Sequence, residues 1–229
     1  MTAKRSSLLA LMLAMAMITA GCHGSDEKVP EVNRSTARAT LTTDMLERVG
    51  VEQSDLPSGY NRQPDSGQKG GPECLKIISE TRASASFATQ LQNFGLRGCS
   101  TVAYSKEVKA HGDTSNNSPG SFAFLFADED SASKALPATR AFLKGTFRPS
   151  GDFGEPVVVD LPVSGLGDEA LPGVKFTTDA KGLVTIVFAL YVWRVRNVVI
   201  GVGGCDALSD MTEQTIFDMA KKIDFRATH

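Results

Sequence analysis

The sequence predicts an α+β domain in which a largely antiparallel β-sheet is flanked by helices. The first observation is a set of extended runs, rich in β-branched and aromatic residues, at 99–108, 121–127, 157–161, 183–195 and 197–204. The second is apolar spacing of three and four residues over 79–94, over 131–144 and up to Ile223. The third is their order. Helix, strand, loop, strand, helix, strand, turn, strand, long hairpin and helix do not alternate as a parallel βαβ chain would, so helices pack on a sheet built mainly from hairpins. At 229 residues with 41% hydrophobic content, the chain has enough apolar material for a core, and its length fits one domain or at most two small ones.

The chain opens with Lys4 and Arg5, followed by the uncharged, mostly apolar stretch Leu8 to Ala20 and then Ile18-Thr19-Ala20-Gly21-Cys22. A bilayer-spanning helix takes about 20 apolar residues, so this stretch is too short to cross. The order of charge, apolar stretch, small residues and cysteine resembles the signal peptide and lipobox of bacterial lipoproteins. Thr19 stands where leucine is commonest. That resemblance implies that residues 1–21 are removed and that the Cys22 thiol carries the lipid, palmitate included. An ordinary secretory signal cleaved after Ala20 or Gly21 would export the domain equally but leave it without an anchor. His23 stands where inner-membrane retention typically uses aspartate. The resemblance therefore implies an extracytoplasmic protein anchored to the cell membrane, or to the outer membrane if the cell has two. Residues 22–40 are polar and lack apolar periodicity, which makes them a flexible tether ahead of a single domain at 41–229.

Within that domain, Leu41 to Gly50 reads as one short helix closed by Gly50, and Asp55 to Tyr60 turns. Residues 61–73, with Pro64, Gly67, Gly70, Gly71 and Pro72, read as loop. Ala83, Phe87, Leu91 and Phe94 then line one face of a helix that Gly95 stops. A strand follows from Cys99 to Val108, and residues 109–120 are a polar loop. In the strand 121–127, Phe122, Phe124 and Phe126 share one face and Ala123, Leu125 and Ala127 the other, so the strand should be central. That aromatic stripe suits core packing, and also suits the wall of an apolar ligand site.

Asp128-Glu129-Asp130 precedes the next helix, where acids fit the cap and the positive end of the dipole better than a calcium loop with its spaced oxygen ligands. Pro137 predicts that this helix is kinked or starts late. Gly165-Leu166-Gly167-Asp168-Glu169-Ala170 spells the letters of a dinucleotide fingerprint, G-x-G-x-x-A. Pro172 and Gly173 leave no room for the helix that would receive the pyrophosphate, so the segment is a tight turn. Leu183 to Val195 and Asn197 to Gly204 form an antiparallel hairpin, with Arg194 and Arg196 two apart on one face near its turn, a placement that suits a solvated edge better than an anionic ligand. Asp210 and Glu213 make a capping-box pattern before a final helix on Ile216, Met219, Ala220 and Ile223.

Charge and composition narrow the function classes. Residues 1–21 carry two of the 24 basic side chains and none of the 26 acidic ones, so their removal takes the formal charge from −2 to −4. Such a surface does not attract nucleic acid or anionic lipid heads. Of Cys74, Cys99 and Cys205, an oxidising compartment pairs two. Cys74 with Cys99 is favoured because they flank one helix and close a short loop, which leaves Cys205 a buried thiol. A catalytic Cys205 would need a histidine base, and the chain has only His23, His111 and His229. No nucleophile–base pair and no metal set emerges, so no enzyme, cofactor or metal is expected.

The phrases Asp55-Leu56-Pro57-Ser58-Gly59-Tyr60, Leu166-Gly167-Asp168-Glu169-Ala170 and Val192-Trp193-Arg194-Val195-Arg196-Asn197-Val198-Val199 resemble small extracytoplasmic lipoproteins and sensor domains of actinobacteria. Some of these share the helix-flanked sheet of the photosystem-associated PsbP and Mog1 proteins. The resemblance implies a non-catalytic binding or interaction module of the cell envelope whose partner is an unknown envelope protein. The alternative is a carrier that holds a lipid or other apolar molecule between sheet and helices against Phe122, Phe124, Phe126 and Trp193. Passages 99–144 and 174–223 share a plan of strands followed by a helix, a hint of an internal repeat.

Overall fold

The computed structural model describes residues 40–80, 84–110, 113–146, 155–180, 184–206 and 211–229; the expectations placed on residues 1–39, Cys22 among them, lie outside the described residues. The described strands join in one ten-stranded antiparallel sheet: β1 (Asn61–Arg62), β2 (Gly67–Gly70), β3 (Leu96–Ala110), β4 (Asp113–Asn117), β5 (Gly120–Phe126), β6 (Val157–Leu161), β7 (Glu169–Ala170), β8 (Gly173–Ala180), β9 (Val184–Val195) and β10 (Val198–Asp206). Their order is β1-β3-β5-β10-β9-β8-β6, with β2 and β4 added to β3 and β7 to β9. The α+β class with helices on the sheet is as the sequence predicts.

Helices cover both faces. α1 (Gly71–Ser79), α2 (Ala85–Asn93) and α3 (Glu129–Thr146) lie on one; the 3-10 segment Thr43–Val49 and α4 (Glu213–Thr228) lie on the other. The sheet therefore separates two apolar cores. Phe87, Phe124, Phe126, Leu136 and Phe176 fill the three-helix side. Leu46, Trp193, Ile200, Ile216 and Ile223 fill the α4 side. β5 is central and buried along its whole length, since its alternate residues enter different cores.

Several expectations need correction. The stretch 61–73 is not all loop: it holds β1, β2 and the start of α1, with Pro72 in the first helical turn where a missing N–H costs nothing. Gly71 begins that helix because a Cβ there would sit 2.8 Å from the Leu96 carbonyl oxygen. The polar stretch 109–120 contains β4, which returns along β3 from Lys106↔Asn117 to Ala110↔Asp113. α3 does not start late; it runs from Glu129 to Thr146 through Pro137, which occupies an exposed position. Thr212, not Asp210, caps α4, its side chain accepting from the Thr215 N–H at 3.1 Å. The repeat is not a structural one. β5 and β10 run antiparallel at the centre, and a two-fold axis exchanging them would keep both following helices on one face, whereas α3 and α4 take opposite faces.

Candidate functional site

The three phenylalanines of β5 come together as the sequence placed them. Phe122 and Phe124 lie 4.8 Å apart between ring centroids, Phe87 of α2 reaches Phe124 at 6.3 Å, and Phe142 of α3 stacks on Phe87 at 4.1 Å. Gly201 lies opposite Phe122, and its lack of a Cβ leaves room for the Phe122 ring, which would otherwise be met at 2.2 Å. All three are buried, at 8%, 7% and 1% exposure.

Trp193 is not part of that group. It is fully buried on the opposite face, in the row Ala123, Ile200, Trp193, whereas Phe124, Val199 and Arg194 form the neighbouring row that points to α3. One molecule held between the sheet and the helices of a single face cannot touch all four aromatic residues. The physical reason is the period of two along β9, which the two arrays do not share in phase.

The glycine-rich phrase after β6 is a staple between the β9–β10 turn and α4. Gly167 has φ +54°, and a Cβ on it would stand 2.1 Å from the Arg194 carbonyl oxygen. Its N–H donates to Asp224 Oδ1 of α4 at 2.8 Å, the Asp168 N–H donates to the Arg194 carbonyl at 2.8 Å, and the Arg196 N–H donates to Asp168 Oδ2 at 2.6 Å. The two arginines part company, contrary to the shared solvated edge. Arg194 is only 13% exposed in its side chain and donates to Glu169 at 3.1 Å, with Glu129 at 3.8 Å and Asp168 at 3.9 Å. Arg196, at φ +52° in the turn, sends its guanidinium toward the Thr228 carbonyl at 3.4 Å.

Asp224 is the most perturbed carboxyl of this region. Burial, and secondarily the Asp168 charge, raise its pKa above the ordinary aspartate value against the Gly167 N–H and the Trp193 indole, which lower it. The indole N–H lies against the carboxylate without a well-formed hydrogen bond. Asp224 escaped the sequence reading, although it follows Ala220 by four residues and so lies beside the buried stripe of α4.

A second charged junction was also missed. Arg226 of α4 grips Asp55 with both arms of its fork, at 3.1 and 2.7 Å, and donates to the Gly50 and Arg48 carbonyls at 2.8 and 3.2 Å. Asp55 in turn accepts from the Glu52 N–H at 2.9 Å. Nothing local in Asp55 to Tyr60 announces a partner 171 positions away.

Cys74 and Cys99 form a disulfide that ties α1 to β3, their Cα atoms 6.0 Å apart. Cys205 is half-buried on β10, less enclosed than expected, opposite Phe188. His23 and His111 lie outside the described residues, and His229 stacks on Phe225 at 4.3 Å. Among the described residues no helix is long and apolar enough to cross a membrane, and no group of histidine, cysteine or acidic side chains has the arrangement of a metal centre.

No protein-family model and no curated protein matches the chain. Its fold is similar to the extracellular domain of PknH from Mycobacterium tuberculosis, with a TM-score of 0.54 and 14% identity over 83% of this chain and 98% of that one. That likeness is one of fold.

Proposed function

We propose that the chain is a non-catalytic interaction module of the bacterial cell envelope, held outside the cytoplasm by lipid on Cys22. The observation that carries the location is the buried Cys74–Cys99 cross-link, a bond that persists in oxidising compartments, within a fold shared with an extracellular domain. The non-catalytic reading draws on how the charged side chains are used. Arg194, Glu169, Asp168, Arg226 and Asp55 join elements to one another, which commits them to structure. A carrier reading would need an apolar space on one face only, lined by Phe122, Phe124 and Phe126 without Trp193.

Cells grown on labelled palmitate test the anchor. The wild-type chain should take up label and sediment with membranes, and Cys22→Ser should do neither. Label retained by Cys22→Ser, or absent from the wild type, would remove the anchor from the proposal.

A further inference from the structure

The β6 edge of the sheet is unlike the rest of the molecule. β6 pairs with β8 on one side, and no strand lies on its other side among the described residues. Val157, Val158 and Val159 are nevertheless 64%, 40% and 49% exposed. Val157 and Val159 pair with Thr177 and Lys175 and project on the α4 side; Val158 pairs with Phe176 and projects on the three-helix side. Edge strands are normally blunted by lysine, bulges or a covering element, because open backbone groups beside β-branched residues recruit another strand.

We infer that β6 is an interface on which a second copy of this chain adds its own β6, antiparallel, extending the sheet across a two-fold axis through Val158. The occupant must be extended and must offer apolar residues on both faces with a period of two, since valines are exposed on both. The same strand run in reverse does this: Val157 of each copy meets Val159 of the other, and Val158 meets itself. Charge fits as well. Asp160 would oppose Pro156 of the other copy, and at ~3.3 Å per residue the two Asp160 side chains lie roughly 13 Å apart along the strands, beyond the screening length of ~8 Å at physiological salt. Asp160 also has its charge engaged by Arg140 at 2.8 Å and Lys144 at 3.0 Å, which offsets its approach to Glu155, the neighbour of Pro156 in the other copy. The axis is perpendicular to the sheet and keeps both α3 helices on one side and both α4 helices on the other. The inference does not depend on lipid at Cys22.

Cross-linking in cells that express the full chain tests it. Cα atoms of directly opposed antiparallel residues lie about 4.5–5.5 Å apart, within disulfide range, so Val158→Cys should give an oxidant-induced dimer. Asn61→Cys, on the opposite edge, is the control and should give at least five-fold less. Adding Val157→Lys and Val159→Lys sets lysine against lysine at both flanking pairs and should lower the Val158→Cys dimer at least five-fold. Co-expression with a Val158→Cys chain carrying Val157→Glu and Val159→Glu should restore it as a mixed dimer. All three positions are exposed, so circular dichroism should show an unchanged fold. A Val158→Cys dimer no stronger than the Asn61→Cys control, one indifferent to the lysine pair, or a cross-link to a different polypeptide would overturn the inference.

Discussion

Asn197 shows how much one side chain can organise here. It occupies the β9–β10 turn, is 1% exposed, and satisfies every polar group it has nearby: Oδ1 accepts from the Leu41 N–H at 2.9 Å, while Nδ2 donates to the Leu41 and Phe126 carbonyls at 3.1 and 3.0 Å. The first residues of the domain are thus fastened to a turn 156 positions later. Asn197→Ala leaves a buried donor and two buried acceptors short of partners, each costing about 1–3 kcal/mol when unmet. Urea unfolding should show a loss on the order of 3 kcal/mol, and native unfolding stability within 1 kcal/mol would refute this account. From the sequence, Asn197 was legible as the start of the second hairpin strand and no further, because its partners are backbone groups that any residue would supply. Arg194 and Arg196 show the same limit. Their spacing of two suggested one shared face, but the left-handed backbone at Arg196 ends the alternation one residue early.

Among the elements, the cross-link between α1 and β3 has the clearest energetic consequence. It spans 25 residues of chain, a loop for which restriction of the unfolded state contributes about 3 kcal/mol. The double change Cys74→Ser and Cys99→Ser should lower stability by roughly that amount. Measured in urea without reductant, a change under 1 kcal/mol would mean that the bond adds nothing to the folded chain. β5 was readable to within a residue at each end because two interleaved apolar arrays leave no solvent face. β2 and β4 were not. Gly67-Gln68-Lys69-Gly70 and Asp113 to Asn117 carry turn-forming residues, and they are strands because β3 runs fifteen residues and offers backbone partners on both sides.

At the scale of the molecule, two carboxylates give the acid response opposite signs. On Asp160 burial works against the charge, but the bonds from Lys144 and Arg140 outweigh it and hold the carboxyl below its ordinary range. The native state then binds that proton less tightly than the unfolded chain, so Asp160 stabilises above the unfolded pKa, and the contribution fades as pH falls through the folded one. Asp224 is raised, so it binds its proton more tightly when folded, and native stability gains as pH falls from above that raised value toward the unfolded one. Denaturation midpoints measured against pH should therefore separate the two. Asp160→Asn should flatten the loss at the acid end, and Asp224→Asn should flatten the gain on the less acidic side. An unchanged profile in either variant would contradict the corresponding assignment. Asp224 lies beside Trp193 and Gly167, where α4 meets the β9–β10 turn, so that second profile reports on the seam between helix and sheet.

By itself the sequence determined the class of fold, the central β5 and the β9–β10 hairpin, and favoured the pairing of Cys74 with Cys99. Each follows from local periodicity, from turn chemistry or from the short stretch of chain between two cysteines. Only the tertiary structure decided that Trp193 and the β5 phenylalanines lie on opposite faces, that α3 and α4 are divided between two cores, and that Arg226 meets Asp55. Those facts depend on register and on contacts between distant segments. A strand pairs through its backbone, so the side chains alone do not say which partner it takes or which face each will find.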